Sequence, residues 1–355
     1  MATTSSRTDA LVERLFGATI ESLELLSVYL GTELGLYRAL AERGPLTSDQ
    51  LAEAAGIAPR YAREWLEQQA VAGFVDVDDA RRFSLDDAHV RVLASPEDMS
   101  HVAPFAHLLA GIGGVLPQLV EAYRSGDGVP YAEYGRAFRH GQGHINRPAF
   151  THVLPTEWLA ALPDLHERLR DGAACRIADV GCGQGWSTIG VARAFPSAEV
   201  TGLDLDDASI ADARRHAVDA GVGDEVRFVA GDASALSRLG PFDLVMVLET
   251  LHDLARPVEF LAAARAALAP GGAVLVVDEK VADEFAAPGD ETERMMYGWS
   301  VLHCLPTQLV EDDSAALGTV LRAADVRRLA SEAGFSRADV LDVDDELFRL
   351  YRLDR

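Results

Sequence analysis

The chain has 355 residues, 48% of them hydrophobic, and a formal net charge of −24. This length suffices for two domains with full-sized cores, and the acidic balance disfavours nucleic acid as a partner because phosphate binding depends on basic side chains. Residues 1–9 lack the basic start and apolar stretch of a signal peptide, and no run approaches a membrane span, so we expect a cytoplasmic protein with no membrane partner.

The first hundred residues have the pattern of a winged helix. Apolar residues recur at helical spacing over residues 9–41. A short helix capped by Thr47 or Ser48 follows, Pro59 opens a second helix, and residues 73–85 are predicted to form a hairpin. Helix, turn, helix and hairpin in this order predict a winged-helix domain.

A winged helix invites a DNA-binding interpretation, which the charges disfavour. The second helix carries Arg60 and Arg63 but also Glu64 and Glu67. Residues 1–150 contain 20 acidic side chains against 13 arginines. The domain therefore has no basic face with which to follow a phosphate backbone.

Residues 99–170 are again mostly helical in pattern, with glycine-rich breaks. His140 and His144 have the i, i+4 separation of a metal pair. Gly141 and Gly143 between them disfavour a helix there, so we expect no zinc site.

From Arg176 onward the pattern changes to alternating strands and helices, which is typical of a parallel sheet. The predicted strands are 176–180, 199–204, 226–230, 242–248, 273–277, 338–342 and 347–352. The predicted helices are 187–195, 207–220, 233–239, 258–267 and 324–333.

The first of these strands leads into a turn with three alternating glycines, Gly181, Gly183 and Gly185. The next helix directs its free N–H groups at whatever lies over the glycines, which favours a ligand site. A dinucleotide site needs Gly-x-Gly-x-x-Gly, and Trp186 occupies the position of its last glycine, which disfavours NAD. The pattern Asp179-x-Gly-x-Gly-x-Gly instead resembles motif I of class I S-adenosylmethionine-dependent methyltransferases.

This resemblance implies the fold and the cofactor. The fold class is α/β, with a seven-stranded, doubly wound, Rossmann-like sheet that ends in an antiparallel hairpin and with an N-terminal, mainly helical winged-helix domain. Residues 1–98 would serve dimerisation and substrate covering, 99–170 would be a helical linker and pocket segment, and 171–355 would bind S-adenosylmethionine. The product would be S-adenosylhomocysteine, and the protein would be a homodimer.

Acids at strand ends extend the predicted cofactor site, because ligands of such sheets bind outside the carboxyl ends of the strands. Asp204 ends the second strand, where a carboxylate can accept from both ribose hydroxyls. By resemblance, Leu205 packs on the adenine, Asp232 accepts the adenine amino group and the Ala233 N–H faces the ring. Asp206 and Asp207 are both candidates to cap the following helix, and this role is preferred for Asp207.

Three further residues are predicted near the methionine end of the cofactor. Asp179 would orient the glycine turn and reach the methionine amino group. Glu249, after the fourth strand, would contact the methionine end or the sulfonium cation. In related methyltransferases a helix before this domain lies over the cofactor, so Trp158 would line the site; a core position is the alternative.

The run Leu-His-Asp after the fourth strand resembles the motif in which winged-helix O-methyltransferases place a histidine general base. A neutral imidazole suits proton removal from a phenol or similar hydroxyl, which makes His252 the predicted catalytic residue, with a structural role as the alternative. Leu254 replaces the tryptophan that commonly ends the motif. No metal is predicted, since the sulfonium already activates the methyl group and we find no acidic triad.

Residues 280–321 form an insertion that should cap the pocket. A helix over residues 291–304 would place Tyr297, Ser300 and Cys304 on one face and Met296, Trp299 and His303 on the next. Tyr297, Ser300 and His303 are the predicted substrate contacts, although such a stripe also fits a core.

Together these features predict methyl transfer from S-adenosylmethionine to a small molecule in specialised metabolism. Oxygen is the preferred acceptor atom, and carbon and nitrogen remain possible. Two alternatives stay open: a transcriptional regulator that senses S-adenosylmethionine, and a methyltransferase-fold enzyme with other chemistry, such as cyclisation.

Overall fold

The computed structural model describes residues 6–232 and 234–355. The chain divides into two compact units, one formed by residues up to Gly113 with Arg136–Pro148 and the other by Gly114–Gly135 with Ala149–Arg355. The predicted linker, 99–170, is therefore divided between the two units, and one boundary falls inside a helix, Phe105–Ser125.

The first unit is mainly helical and contains one two-stranded antiparallel sheet. Its elements are α1 (Arg7–Glu33), α2 (Leu36–Arg43), α3 (Ser48–Ala55), α4 (Pro59–Val71), β1 (Asp76–Val77), β2 (Phe83–Ser84), α5 (Asp87–Ala94), the first part of α6 (Phe105–Ser125) and most of α7 (Gly135–Ile145).

Local sequence signals explain how the winged helix forms. The Thr47 hydroxyl accepts a hydrogen bond from the Gln50 N–H at 3.3 Å, and the Gln50 side chain accepts one from the Thr47 N–H at 2.9 Å, which caps α3 from both sides. Pro59 is the first residue of α4, where a missing N–H costs nothing. Phe83 exchanges backbone hydrogen bonds with Leu46, so the hairpin is attached beside α3. The predicted winged helix is confirmed.

The prediction that residues 140–144 are not helical is wrong, because α7 runs through both glycines. A Cβ at Gly141 would lie 2.8 Å from the Leu108 nitrogen and 2.9 Å from the Pro104 oxygen. Glycine therefore lets α7 approach the start of α6, and this packing outweighs its low helix propensity. His140 and His144 lie on one face, with ring centroids 3.9 Å apart.

The second unit is built on the predicted seven-stranded sheet, which is confirmed. Its strand order is β5-β4-β3-β6-β7-β9-β8, with β3 to β7 parallel and β9 antiparallel to both of its neighbours. The strands are β3 (Arg176–Val180), β4 (Glu199–Asp204), β5 (Val226–Ala230), β6 (Phe242–Leu248), β7 (Leu268–Glu279), β8 (Arg337–Val340) and β9 (Phe348–Asp354).

Helices cover both faces of this sheet. They are α8 (Pro163–Arg170), α9 (Trp186–Ala194), α10 (Asp207–Asp219), α11 (Ser234–Leu239), α12 (Pro257–Ala266) and α15 (Ala323–Glu332). The unit also contains α13 (Glu291–Trp299) and α14 (Leu305–Gln308). Two π-helical segments, Ala149–Trp158 and Ser300–Cys304, and three 3-10 turns, Tyr131–Tyr134, Leu159–Ala161 and Leu251–Asp253, complete the unit.

Strand β6 shows why the sheet has a core on each side. Val245 and Val247 pack with α12 and α15, whereas Leu244 and Met246 pack with α9 and the 149–158 segment. All four side chains are fully buried, as expected for a parallel strand covered on both faces. The strand order reverses between β3 and β6, so their carboxyl ends mark the expected ligand crevice.

One helix among the described residues, α6, is long and apolar enough to cross a membrane by length and composition, contrary to our expectation from the sequence. Of its most apolar window, 44% is buried inside the protein. Core helices pass the same test, so this single helix is weak evidence for a membrane span.

Candidate active site

The glycine turn after β3 has three residues in the left-handed region, with φ of 72° at Gly181, 50° at Gly183 and 83° at Gly185. Only glycine adopts this conformation without strain. The N–H groups of Gly181 and Cys182 both donate to the Leu203 carbonyl, at 2.8 and 3.0 Å. The turn is thereby held against the end of β4, with α9 starting at its far side.

Asp204, at the end of β4, is joined directly to this turn. One carboxylate oxygen accepts from the Gly183 N–H at 2.7 Å, and the other accepts from the Asp206 N–H at 2.9 Å. Each oxygen keeps a second lone pair with which to accept from a ligand hydroxyl. Burial raises the pKa of Asp204 above its ordinary value. The structure therefore brings the predicted ribose acceptor and the predicted turn into contact.

Asp179 lies underneath the turn and is 1% exposed. A single oxygen of its carboxylate accepts from the hydroxyls of Ser187 and Thr188, both at 2.6 Å. Burial raises the pKa of Asp179 to about 6. The observed contacts attach β3 to the first turn of α9, which suits an orienting role for Asp179 better than a direct contact with the methionine end.

The residues predicted to contact adenine lie at the surface. Leu205 is 68% exposed, and Asp232 is also exposed. Asp232 accepts from the Ser234 hydroxyl at 2.5 Å and from the Ser234 N–H at 2.9 Å, and these hydrogen bonds lower the pKa of Asp232. Ala233 lies outside the described residues. The predicted cap Asp207 is wrong: Asp206 precedes α10 and accepts from the Ser209 N–H.

Glu249 follows β6 and adopts φ of 49°, which is uncommon for a residue other than glycine. Its N–H donates to the Val277 carbonyl at 2.8 Å, which fixes this conformation at the end of β7. Glu249 is half-buried. Such backbone strain is typical of ligand sites, and here it lies at the strand end where the predicted substrate should approach.

His252 lies in the next turn, 3% exposed, within a cluster of carboxylates. Its Nδ1 lies 2.8 Å from Asp278 and 3.2 Å from Glu279, and its Nε2 lies 3.4 Å from Asp253. Burial disfavours the imidazolium, but the negative charges of Glu279, Asp278 and Asp253 outweigh it, so the pKa of His252 lies well above its ordinary value. Burial also raises the pKa of Glu279, to about 7.

Asp278 and Glu279 are not among the predicted site residues. The predicted strand ends at Val277, where the apolar run stops, whereas β7 continues to Glu279 because it pairs with β9. Two acids directly after a buried strand were the available signal. With His252 they form one of two groups of possible metal ligands among the described residues; the other is His252, Asp253 and Cys304. Neither group is an acidic triad, since each includes His252, and the expectation that no metal is needed stays a prediction.

Comparison with known proteins identifies both parts of the chain. Residues 177–272 match the family described as "Methyltransferase domain", and residues 22–95 match the "Rv2258c-like winged HTH domain". The chain contains a methyltransferase domain.

Individual relatives agree with this assignment. Acetylserotonin O-methyltransferase of Rattus norvegicus is 38% identical over 163 residues, which are 45% of this chain and 34% of the relative. The match thus spans about a third of that relative's length. Human N-acetylserotonin methyltransferase, solved with S-adenosylmethionine, has a TM-score of 0.70 at 17% identity over 100% of this chain and 99% of that chain. An O-methyltransferase family protein from Burkholderia thailandensis has a TM-score of 0.70 at 16% identity over 99% of both chains.

The insertion of the methyltransferase domain differs from the predicted single helix. The α-helix ends at Trp299, and a π-helical segment follows, so residues beyond Ser300 leave the predicted i, i+3 and i+4 faces. Tyr297 is 38% exposed, whereas Ser300 and His303 are buried. His303 packs edge-on against Tyr134, with ring centroids 4.6 Å apart, and burial lowers the pKa of His303 to about 4.

Trp158 belongs to the core of the methyltransferase domain. Its side chain is fully buried, donates a hydrogen bond to Asp345 at 3.2 Å and packs on Phe150 and Phe348. These contacts contradict the prediction that it lines the cofactor site. The alternative of a core tryptophan is the one that the structure supports.

The glycines of the turn allow a matched test. A Cβ at Gly185 would lie 2.8 Å from both Ala213 and Phe228, whereas a Cβ at Gly183 meets no described heavy atom within 4 Å. We expect Gly185→Ala to lower the free energy of unfolding by about 1–3 kcal/mol. Gly183→Ala should cost only about 1 kcal/mol but weaken binding of S-adenosylhomocysteine, because its methyl group occupies ligand space. Chemical denaturation measures the free energy of unfolding of the two variants, and calorimetry measures their affinity for S-adenosylhomocysteine. If the two variants changed these quantities equally, the Cβ of Gly183→Ala would not point into the ligand site.

Proposed function

We propose that the protein transfers the methyl group of S-adenosylmethionine to a small-molecule acceptor, with oxygen as the preferred atom. The observation that carries this proposal is a juxtaposition at the carboxyl ends of β3, β4 and β6. There the glycine turn and Asp204 form a cofactor cradle, and a histidine with acidic partners follows the next strand. The methyltransferase domain match and the O-methyltransferase relatives support it.

The residues present fit S-adenosylmethionine. Gly183 has open space where a Cβ would point, as needed for a ligand close to the backbone, and the Asp204 carboxylate has lone pairs left for ribose hydroxyls. Asp232 and Leu205 are exposed at the neighbouring strand ends, where adenine contacts are proposed. The cofactor supplies a methyl group activated by the sulfonium, so the chain needs to align the acceptor, exclude water and remove a proton.

Proton removal is the role that we propose for His252. Its Nδ1 is paired with Asp278, which leaves Nε2 as the nitrogen that accepts a proton from the acceptor hydroxyl. Asp278 and Glu279 stabilise the imidazolium that results. The same cofactor cradle is compatible with methyl transfer to carbon or nitrogen, for which proton removal by His252 would be less important.

The test is a turnover assay with the purified chain and S-adenosylmethionine labelled in its methyl group. Its acceptors are a panel of phenols, amines and acidic C–H compounds that begins with N-acetylserotonin, the compound in the names of two relatives. We expect label in a phenolic ether and an equal amount of S-adenosylhomocysteine. Label found only on nitrogen or carbon would show that oxygen is not the preferred acceptor atom. A cyclised product without label would contradict methyl transfer.

We also propose a homodimer formed through α1. Its residues Phe16, Leu23 and Leu30 recur every seven positions and are 69%, 61% and 49% exposed. A continuous apolar seam of this kind needs a partner, and a second copy of the same helix matches it. The expected result is that Leu23→Glu gives a monomer in sedimentation analysis, whereas Arg14→Glu, which places the same side chain on the opposite face, leaves the dimer. A wild-type monomer at micromolar concentration would refute the seam.

DNA binding is not part of the proposal. Arg60 on α4 pairs with Glu64, and Arg81 of the wing pairs with Glu67, so these cations are already engaged. A specific promoter fragment retarded at physiological salt would revive the regulator interpretation.

A further inference from the structure

Gln308, at the end of α14, is buried, and both its amide nitrogen and its amide oxygen form hydrogen bonds. It is 2% exposed. Its Nε2 donates to the carbonyl oxygen of His252 at 2.6 Å, and its Oε1 accepts from the Gly318 N–H at 3.1 Å. The side chain therefore connects three segments: the turn of His252, the helix α14 and the irregular segment around Gly318.

The chemistry of this position suits an amide. The His252 carbonyl needs a donor and the Gly318 N–H needs an acceptor, and both are buried away from water. The carboxamide supplies the donor from its nitrogen and the acceptor from its oxygen without carrying a charge. An apolar replacement would leave both backbone groups without these partners.

Further hydrogen bonds fasten the insertion around the same turn. The Ala315 N–H donates to the Ala255 carbonyl at 2.8 Å, and the Thr319 N–H donates to the Ser300 hydroxyl at 3.2 Å. Gly318 has φ of 65°, and a Cβ there would collide with Ser300, so these two parts of the insertion lie close together. The insertion thus contacts the His252 turn on both sides of Asp253.

The imidazole belongs to the residue whose backbone Gln308 contacts. Its Nδ1 lies 2.8 Å from Asp278 and 3.2 Å from Glu279 at the end of β7, and the carbonyl of the same residue accepts from Gln308. Both hydrogen bonds of the Gln308 amide go to backbone atoms and not to the ring itself. The other titratable groups beside the ring are Asp253, His303 and Cys304.

We propose that Gln308 is a positioning residue, which fixes the His252 turn to the capping insertion and so keeps the imidazole paired with Asp278 and Glu279. Its consequence for turnover rests on the proposed function. Its consequence for the imidazole does not, because the ion pair exists in the protein without any substrate.

The experiment compares Gln308→Met with Gln69→Met. Met is close to Gln in length but makes neither hydrogen bond, and Gln69 is an equally buried glutamine of the first unit, bonded to Tyr37. The readout is the titration of the His252 ring followed by NMR of histidine-labelled full-length protein, with the resonance assigned by its loss in His252→Asn. We expect the midpoint to fall by about one pH unit in Gln308→Met and to stay unchanged in Gln69→Met.

Cofactor binding and turnover complete the test. S-adenosylhomocysteine affinity should stay within about twofold, because Asp204 and the glycine turn are not touched, while kcat with any accepted phenol should fall about 10- to 100-fold. An unchanged His252 titration in a folded Gln308→Met protein overturns the proposal. A shifted titration in a protein that methylates no acceptor leaves the positioning role intact and contradicts the proposed function instead.

A second variant covers the case in which Gln308→Met does not fold. Gln308→Glu keeps the acceptor for Gly318 but can donate to the His252 carbonyl only while the introduced carboxyl is protonated. We expect normal His252 signals at low pH and a change in their position as this carboxyl ionises, a step that wild type lacks. A titration curve identical to that of wild type would overturn the proposal.

Discussion

Asp204→Ala is expected to weaken binding of S-adenosylhomocysteine about 100-fold or more. The variant removes the acceptor that holds the Gly183 N–H at 2.7 Å and the Asp206 N–H at 2.9 Å, and it removes the proposed ribose acceptor as well. Hydrogen bonds to a charged group contribute about 1.5–3 kcal/mol each, and two of them correspond to two to four powers of ten in affinity. Calorimetry with S-adenosylhomocysteine measures the loss.

Asp207→Ala is the matched control for this experiment. It removes the same charge three residues along the chain, but Asp207 is exposed and Asp206 caps α10 in its place. We expect it to bind S-adenosylhomocysteine within about twofold of wild type, since an exposed charge contributes little. If the two variants bind equally well, Asp204 is not a cofactor ligand.

His252→Asn is expected to lower kcat about 10²- to 10⁴-fold with little change in S-adenosylhomocysteine affinity, because a positioned general base contributes that much to a proton transfer. The variant also leaves Asp278 and Glu279 without their cation. Burial already raises the pKa of Glu279 to about 7, so this group can take up a proton and limit the cost to stability. Turnover equal to that of wild type would show that His252 is not the general base and that the protein accelerates the reaction mainly by aligning the reactants.

The pH profile gives an independent check on the same residue. Only the neutral imidazole accepts a proton, and the acidic neighbours raise the pKa of His252. We therefore expect wild-type kcat to rise with pH, with a midpoint above the ordinary histidine value. Asp278→Asn removes one of the negative charges and should move this midpoint to lower pH. A profile that is flat through this range in both proteins would exclude His252 as the base.

The elements of the sheet were predictable because their signals are local. The bounds of β4 and β6 agree with the apolar runs, and the three glycines mark the turn whose positive φ they adopt. The order of the strands followed from family resemblance. The contact between Asp204 and the turn could be anticipated, since both lie at carboxyl ends of neighbouring parallel strands.

Two of the errors involve contacts between residues distant in sequence, whereas the choice of Asp207 as the cap of α10 is a local error. Packing of Gly141 on α6 makes α7 continuous despite its glycines, and a hydrogen bond to Asp345 with aromatic packing places Trp158 in the core. A π-helical segment redirects Ser300 and the residues after it. The hydrophobic periodicity of a sequence describes one helix or strand at a time, so it does not show which distant residues pack against that element.

The sequence by itself determined the strands of the sheet, the helices and hairpin of the winged helix, the glycine turn and the acids at strand ends, because each depends on residues within a few positions of one another. Only the tertiary structure decided the surroundings of His252. Pairing with β9 extends β7 to Asp278 and Glu279, and burial then strengthens their attraction for the imidazole. The role of Gln308 could not be predicted from the sequence either, since its two hydrogen-bond partners lie 56 residues before it and 10 residues after it in the chain.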